Sequence, residues 1–243
     1  MAYLLVIKIL LSFLPFAPIT FVMLMMQLLP HIIYNQNFIL SPKRCMFWEE
    51  QKALIVSDLH IGKTGHFRKY GIAVPQDVFK EDMQRLLDQI TFFKAEQLLV
   101  VGDMFHSEAN KELDLFLRWR NDVQALNIHL VKGNHDILKT DWYANANIQV
   151  HPEALTISKI HFLHDLATTN QQLATSNYIM SGHIHPGVLI KGISKQSLRF
   201  PCFYFATQHA VLPAFSRFTG LAAITPKKSD SVYAIVNQSI MKI

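Results

Sequence analysis

The sequence predicts an α/β fold in which a sheet with parallel strands is followed by a second, mostly antiparallel sheet. In the first part of the chain, short apolar runs typical of buried strands alternate with segments of helical periodicity. A polar motif directly follows each of these apolar runs. After His185 the pattern changes to short strand-like segments separated by breaks rich in Gly, Pro, Ser and Lys.

Strands and helices of the first part are predicted from their periodicity. The predicted strands are residues 53–56, 97–101, 128–131, 160–163 and 178–180. Between the first two, residues 76–93 carry apolar side chains at three- and four-residue intervals, and Pro75 lies where a helix can begin. Residues 108–126 carry a similar stripe. This alternation indicates parallel strand pairs with right-handed crossovers.

The last part of the chain is predicted to form the second sheet and to complete one domain. Its strands are residues 187–190, 198–205, 209–212, 221–224 and 231–236. No internal repeat or low-complexity linker interrupts the sequence.

Five polar motifs follow the strands of the first part. They are Asp58 with His60, Gly102 with Asp103, the run Gly133, Asn134, His135 and Asp136, the pair His164 and Asp165, and Gly182 with His183 and His185. Ligands of open α/β sheets bind beyond the carboxyl ends of the strands, so all five motifs are predicted to gather there. Side chains two residues apart in an extended segment point the same way, which predicts that each such pair faces one site.

The residue types in these motifs point to phosphate ester hydrolysis. Two cations about 3.5–4 Å apart can activate a water molecule and neutralise the attacking and leaving oxygens. Imidazole suits iron, nickel and zinc, whereas carboxylate and amide oxygens suit manganese. The mixed His, Asp and Asn set therefore predicts two divalent metal ions, with manganese preferred and iron, zinc or nickel as alternatives.

In their order, the motifs resemble those of the calcineurin-like metallophosphoesterase superfamily over about residues 53–185. The resemblance implies a four-layer α/β/β/α sandwich with mixed sheets. It assigns ligands to two metals: Asp58, His60 and His185 for one, Asn134, His164 and His183 for the other, and Asp103 as the bridge. It also implies that His135 lies beside the scissile phosphate and that Asp136 orients or tunes it.

A narrower resemblance, to the ligase-associated DNA damage response endonuclease family PdeM, extends the match from about residue 38 to the C-terminal region. It rests on residues 58–63 with Phe67, Arg68, Gly71 and Pro75, and on residues 102–107, 182–186, 199–203, 212–215 and 218–220. Ser216 and Arg217 stand where the family pattern predicts a glycine. This resemblance implies an endonuclease acting on DNA in repair, with DNA ligase and helicase as partners.

The sequence leaves alternative roles open for several residues, and alternative functions open for the protein. Lys63 and Arg68 either bind substrate phosphate or are solvated, and Asp165 either contacts a ligand histidine or lies on the surface. His106 can line the pocket; the other histidines outside the motifs are taken as structural, namely His31, His66, His129, His151, His161 and His209. The alternative functions are hydrolysis of a small nucleotide or a lipid-linked pyrophosphate, as in UDP-diacylglucosamine hydrolases, and a non-catalytic metal-binding scaffold.

The amino-acid composition and net charge indicate which kind of substrate or partner the protein binds. The 243 residues are 50% hydrophobic, enough for a sizeable core, and the net charge of +5 with a pI near 9.1 favours anionic substrates such as nucleic acid. No helix-turn-helix, zinc-finger spacing or aromatic-rich basic stripe is present, which argues against sequence-specific DNA reading. The two cysteines, Cys45 and Cys202, fit a reducing cytoplasm, where we expect the protein.

The N-terminal segment has two interpretations. Residues 1–37 are predicted to form an apolar extension before a domain of residues 38–243, and Lys8 is the only charge in residues 1–30. The extension is long enough for a membrane helix or an uncleaved signal, although Pro15 and Pro18 interrupt it. We expect instead that translation starts at Met25 or Met26, with a membrane-anchored protein as the rival.

Overall fold

The computed structural model describes residues 27–75, 77–106, 110–168, 177–192 and 197–243. Most of the predicted apolar extension, residues 1–26, therefore lies outside the described residues. The same holds for Gln76 and Glu108, with which the two predicted helices begin, and for Ser107 of the family motif.

The first sheet has seven strands in chain order. They are β1 (Leu29–Ile33), β2 (Gln36–Ser41), β3 (Cys45–Trp48), β4 (Ala53–Ser57), β5 (Gln97–Val101), β6 (Asn127–Val131) and β7 (Ile148–His151). Strands β1 to β4 pair antiparallel, and β4 to β7 pair parallel. The predicted boundary at residue 38 falls inside β2, so residues 29–37 pair within this sheet.

Among the described residues, four α-helices accompany the first sheet. They are α1 (Lys63–Lys69), α2 (Asp77–Phe93), α3 (Lys111–Asp122) and α4 (Thr140–Asn145). The apolar stripe of α2, including Phe79, Met83 and Leu86, packs with β4 and β5 side chains in one core. Helix α3 starts at Asn110, whose side chain accepts a hydrogen bond from the Glu112 N–H and so satisfies a free helix donor.

The second sheet has nine strands. They are β8 (Ala154–Ile157), β9 (Ile160–Leu163), β10 (Tyr178–Ser181), β11 (Pro186–Lys191), β12 (Ser197–Phe205), β13 (His209–Val211), β14 (Ala222–Ala223), β15 (Ser231–Val236) and β16 (Ser239–Lys242). Most pairs are antiparallel, but β10 pairs parallel with β9 and β13, and β11 pairs parallel with β14. The sequence placed β9 and β10 with the parallel strands of the first part; they belong instead to this second sheet, so the sheet boundary lies before β8.

A hydrophobic core joins the two sheets face to face. Ile55, Leu99 and Val101 of the first sheet share one buried cluster with Phe162 and Met180 of the second. Strand side chains alternate between the two cores: Leu54 and Val56 face the helices, whereas Ile55 faces the other sheet. The predicted α/β fold with mixed sheets is confirmed.

Within the described ranges, no α-helix follows Asn145. A small apolar cluster that includes Val188, Cys202 and Ala234 forms a separate core in the second sheet. No helix in the described part of the chain is long and apolar enough to cross a membrane.

Candidate metal centre

The candidate site lies where the two sheets meet, at the carboxyl ends of β4, β5 and β6 from one sheet and of β9 and β10 from the other. The loops after β4 and β5 are joined by backbone hydrogen bonds, from Asp58 N–H to the Gly102 carbonyl at 3.2 Å and from His60 N–H to the Asp103 carbonyl at 2.9 Å. A parallel bridge between Ser57 and Ala214 connects the same edge to the chain that follows β13. The site is therefore built from both halves of the fold.

The backbone conformation of the predicted ligands determines the direction of their side chains. Five of the predicted ligands have positive φ: Asp58 (51°), His60 (50°), Asp103 (46°), His183 (67°) and His185 (48°). Non-glycine residues rarely adopt this region, and such strain concentrates at functional sites. The reasoning from extended pairs was wrong, because these motifs lie beyond their strands in left-handed turns.

Asp58, His60 and His185 form what we call the first metal group. Their potential ligand atoms all lie within 4.8 Å of one another. His185 Nε2 is 3.5 Å from Asp58 Oδ1 and 3.5 Å from His60 Nε2. The Asp58 side chain is fully buried, so its carboxylate is fixed in this position.

Asp103, His164 and His183 form the second metal group, again with ligand atoms within 4.8 Å. His164 Nε2 is 3.5 Å from Asp103 Oδ1 and 3.0 Å from His183 Nδ1. Asn134 joins this group, because its Oδ1 is 2.8 Å from His164 Nε2. The structure thus brings together all seven predicted ligands.

The two groups are neighbours. The backbone N–H of His183, in the second group, donates to both Asp58 carboxylate oxygens of the first at 3.2 and 3.3 Å. His164 Nδ1 is 4.0 Å from Asp58 Oδ1. One carboxylate therefore orients parts of both groups.

These residues fit divalent cations. Ring nitrogens face one another within hydrogen-bonding distance in each group, an arrangement that a shared cation satisfies. Burial, followed by the nearby Lys63 charge, lowers the pKa of His60 to about 2. A neutral imidazole is the form that binds metal. Buried Nδ1 atoms of His60 and His164 have no hydrogen-bond partner in the described structure.

Two glycines allow the close packing around the second group. A Cβ atom on Gly102, whose φ is 79°, would lie 1.7 Å from His164 Nδ1. A Cβ atom on Gly133 would lie 2.2 Å from Asp103 Oδ1. Both positions therefore require glycine if His164 and Asp103 are to keep their places.

A sequence model described as calcineurin-like phosphoesterase matches residues 52–185, more than half of the chain. The chain belongs to the calcineurin-like phosphoesterase family. It is accordingly a metal-dependent phosphoesterase, and the matched residues contain both metal groups.

Comparison with solved structures gives further relatives of this phosphoesterase. The crystal structure of Pseudomonas putida nuclease MPE is 27% identical, with a TM-score of 0.75, and the match covers 89% of this chain and 100% of that one. Yfce, a phosphoesterase from E. coli, is 14% identical with a TM-score of 0.40, covering 79% and 97% of the two chains. A comparison with curated proteins gave no significant match.

Asp136 of this phosphoesterase lies between the loops after β5 and β6. Its fully buried carboxylate accepts hydrogen bonds from the N–H groups of Phe105 at 2.8 Å, Gly133 at 2.9 Å and Met104 at 3.3 Å. Burial raises the pKa of Asp136 to about 7 despite these donors. The carboxylate therefore fixes the loops after β5 and β6, and the described contacts do not connect it to the His135 ring.

His135 lies in a cluster of histidines that the sequence reasoning only partly found. Its ring centroid is 4.4 Å from that of His106 and 5.6 Å from that of His60. His106 therefore lines the site, and burial, with His135 second, lowers the pKa of His106 to about 4. His66 was assigned a structural role, yet its ring is 5.6 Å from His106. The sequence signal that could have found His66 is its position in the first turn of α1, which follows the Asp58–His60 motif.

The two predicted phosphate-binding residues have different surroundings. Lys63 is half-buried; burial lowers its pKa, whereas the charges of Asp103 and Asp58 raise it. Arg68 instead pairs with the buried Glu112 at 2.7 Å and donates to the Val74 carbonyl. Arg68 therefore stabilises the segment around α1, and its contact with substrate stays a prediction.

A cleft opens beside the second metal group. It has a volume of about 830 Å³ and is lined by residues that include Lys132, Asn134, His161, Asp165 and His183. Asp165 Oδ2 is 4.0 Å from His183 Nε2, the contact with a ligand histidine that was one of its two predicted alternatives. The cleft gives a substrate access to the second metal group.

Proposed function

We propose that this phosphoesterase is a dinuclear-metal phosphodiesterase that cleaves nucleic acid, and DNA in particular. The observation that carries the proposal is the convergence of seven oxygen and imidazole ligands from both sheets beside the non-ligand His135. The match along the full length of a nuclease, at 27% identity, supports nucleic acid as the substrate class. The net charge of +5 supports a polyanionic substrate.

In this proposal Asp58, His60 and His185 would hold one divalent ion, and His164, His183 and Asn134 would hold the other. By the family resemblance Asp103 would be a ligand of both ions, and its carboxylate is 3.5 Å from His164 Nε2. Two such ions supply a hydroxide nucleophile at neutral pH and neutralise charge on the phosphoryl oxygens. Manganese suits the carboxylate and amide oxygens, with iron, zinc and nickel as alternatives.

The surrounding side chains have separate tasks in the proposed reaction. Asp103 Oδ1 accepts the backbone N–H of His135 at 2.9 Å, which places this ring relative to the metal ligands. His135 donates a proton to the leaving oxygen or a hydrogen bond to the phosphoryl oxygens. The Lys63 ammonium binds a phosphate oxygen of the bound substrate. Asp136 positions Asp103 and His135 by fixing both loops.

DNA repair, the ligase and helicase partners and a cytoplasmic location stay predictions from the resemblance to the PdeM family. A membrane segment in residues 1–26 would favour hydrolysis of a lipid-linked pyrophosphate, and these residues lie outside the described part of the chain. A non-catalytic scaffold would not need His135, His106 and Lys63 beside two metal groups. We therefore propose the nuclease alone.

The test measures hydrolysis of bis-p-nitrophenyl phosphate and of a single-stranded DNA oligonucleotide by metal-stripped protein titrated with manganese. We expect turnover of both substrates to depend on manganese, and to be lost in Asp103→Asn and His135→Ala. Asp122→Asn, the same acid-to-amide change on an exposed residue at the end of α3, is the matched control and should retain full activity. Full activity of Asp103→Asn would refute the two-metal assignment. Turnover of the small diester without DNA cleavage would refute the nucleic acid assignment.

A further inference from the structure

A second pocket with a concentration of positive charge lies apart from the metal groups. Four cationic side chains line it, namely Lys43, Arg44, Arg85 and Arg217, and we call it the basic pocket. Its other walls are apolar or neutral, from β12 and from the turn between β15 and β16. No carboxylate is among the described residues that line it.

Nearby acids compensate only part of this charge. Asp82 pairs with Arg85 at 2.9 Å, and Glu81 is 3.5 Å from Arg217 at the exposed surface. Burial, followed by the charges of Arg217 and Arg85, lowers the pKa of Lys43. Burial, with Arg85 second, lowers the pKa of Arg44 to about 10. The four cations therefore repel one another, and an anion would relieve this repulsion.

Arg85 contributes a nearly buried guanidinium to the wall of the basic pocket. Its side chain is only 7% exposed, and its Nη2 donates to the Phe215 carbonyl and pairs with Asp82. The planar guanidinium group matches the geometry of phosphate oxygens. The pocket volume of about 220 Å³ lies below the roughly 300–1,000 Å³ of pockets for drug-sized ligands. This space suits a group of phosphate size.

The basic pocket adjoins the metal centre through one loop. Arg44 Nη1 donates to the Ser216 carbonyl at 2.9 Å, and the Ser216 N–H donates to the Asp58 carbonyl at 3.2 Å. The Arg85 guanidinium lies 4.2 Å from the centre of the Phe215 ring in the same loop. Because β3 runs antiparallel to β4, the turn that contains Lys43 and Arg44 lies at the carboxyl end of β4, directly before Asp58.

We propose that the basic pocket is a phosphate-binding subsite that holds a non-scissile phosphodiester of the nucleic acid strand. The inference rests on the proposed nuclease function and deepens it. A strand held at a second phosphate is positioned along the sheet edge while another phosphate occupies the metal centre. A diester with a single phosphate cannot use this second contact.

The experiment compares the double variant Lys43→Gln/Arg217→Gln with wild type. Neither side chain belongs to the metal groups, and Arg217 is exposed. The matched control, Lys52→Gln/Lys94→Gln, removes two exposed charges near the amino ends of β4 and β5, at the opposite edge of the first sheet. We expect the double variant to raise KM for a single-stranded oligonucleotide about tenfold, the equivalent of one charge-assisted hydrogen bond. KM and kcat for bis-p-nitrophenyl phosphate should not change.

A second readout uses binding of a labelled oligonucleotide by metal-free protein over a range of salt concentrations. Loss of one phosphate contact should reduce the slope of log Kd against log salt by about 0.7. Unchanged oligonucleotide KM and slope in the double variant would overturn the proposal. Equal losses on both substrates would also overturn it, because the residues would then act through the loop that holds Asp58.

Inorganic phosphate distinguishes a strand subsite from a site for the free ion. A phosphate-induced rise in Tm that is lost in the double variant, together with unchanged oligonucleotide KM, would overturn the strand assignment. If wild type hydrolyses only the small diester, the proposed function fails, and the phosphate-induced rise in Tm becomes the test of the basic pocket. A rise in wild type that is lost in the double variant then supports phosphate binding in the pocket. An equal rise in both proteins overturns it.

Discussion

Replacing Gly102 by alanine tests whether the backbone after β5 positions the second metal group. The added Cβ would lie 1.7 Å from His164 Nδ1 and 2.4 Å from its Cγ. The clash partner is a buried ring, and its Nε2 is held by Asn134 at 2.8 Å and His183 at 3.0 Å. The ring cannot move without disturbing two other predicted ligands.

The size of the effect follows from the distances. Ordinary van der Waals contact begins at 3.4 Å, so the ring must retreat by about 1.7 Å. A misplacement of about 1 Å can cost a hundredfold in rate, so we expect kcat/KM to fall at least about 100-fold. The left-handed backbone at φ 79° adds about 1–2 kcal/mol of destabilisation for a residue with a Cβ.

Gly71 supplies a matched control, since its φ is 80° and a Cβ there would meet nothing within 4 Å. Gly71→Ala therefore has the backbone cost alone, about 1–2 kcal/mol, and should keep its activity. Urea unfolding of metal-free protein gives the stability of both variants, while manganese content and bis-p-nitrophenyl phosphate turnover report on the site. If Gly102→Ala bound manganese and turned over substrate as well as Gly71→Ala, the reasoning would be refuted.

Three further outcomes are expected. Arg68→Gln should lower the free energy of unfolding by about 2–3 kcal/mol in urea titrations, because the buried Glu112 loses its cationic partner and keeps only the neutral donors of Gly62 and Thr64. A rise in KM without a stability loss would instead support the substrate role of Arg68. Lys63→Gln should raise KM for bis-p-nitrophenyl phosphate about tenfold with little change in kcat, and an unchanged KM would exclude it from substrate binding. Burial raises the pKa of Cys45 and of Cys202 to about 12, so a disulfide-exchange reagent at pH 8 should react with both thiols only after unfolding, and rapid reaction of the folded protein would contradict this.

Local patterns were sufficient for most of the fold. Strand β5 occupies the predicted residues 97–101, and α2 ends at Phe93 as predicted, because strong apolar periodicity determines which face is buried. The separation of β9 and β10 from the first sheet could not be predicted from periodicity. A buried parallel strand has the same apolar pattern in either sheet, and only long-range pairing with β13 decides it.

The candidate site, like the fold, could be predicted from the sequence only in part. Residue chemistry and the family resemblance selected seven candidate ligands, and the structure brings these side chains together. The roles of Asp136 and Arg68 depend on contacts with residues 31 and 44 positions away along the chain, at Phe105 and Glu112. Single-sequence reasoning has no access to such pairings. The same holds for His106, whose importance comes from its ring contact with His135.

The distribution of ligands between the sheets has a consequence for biogenesis. Each metal group takes members from both: Asp58 and His60 need His185, and Asp103 needs His164 and His183. A nascent chain that has formed only the first sheet can fill neither group. Complete metal binding would therefore require both sheets, so it would follow the folding of both halves of the chain.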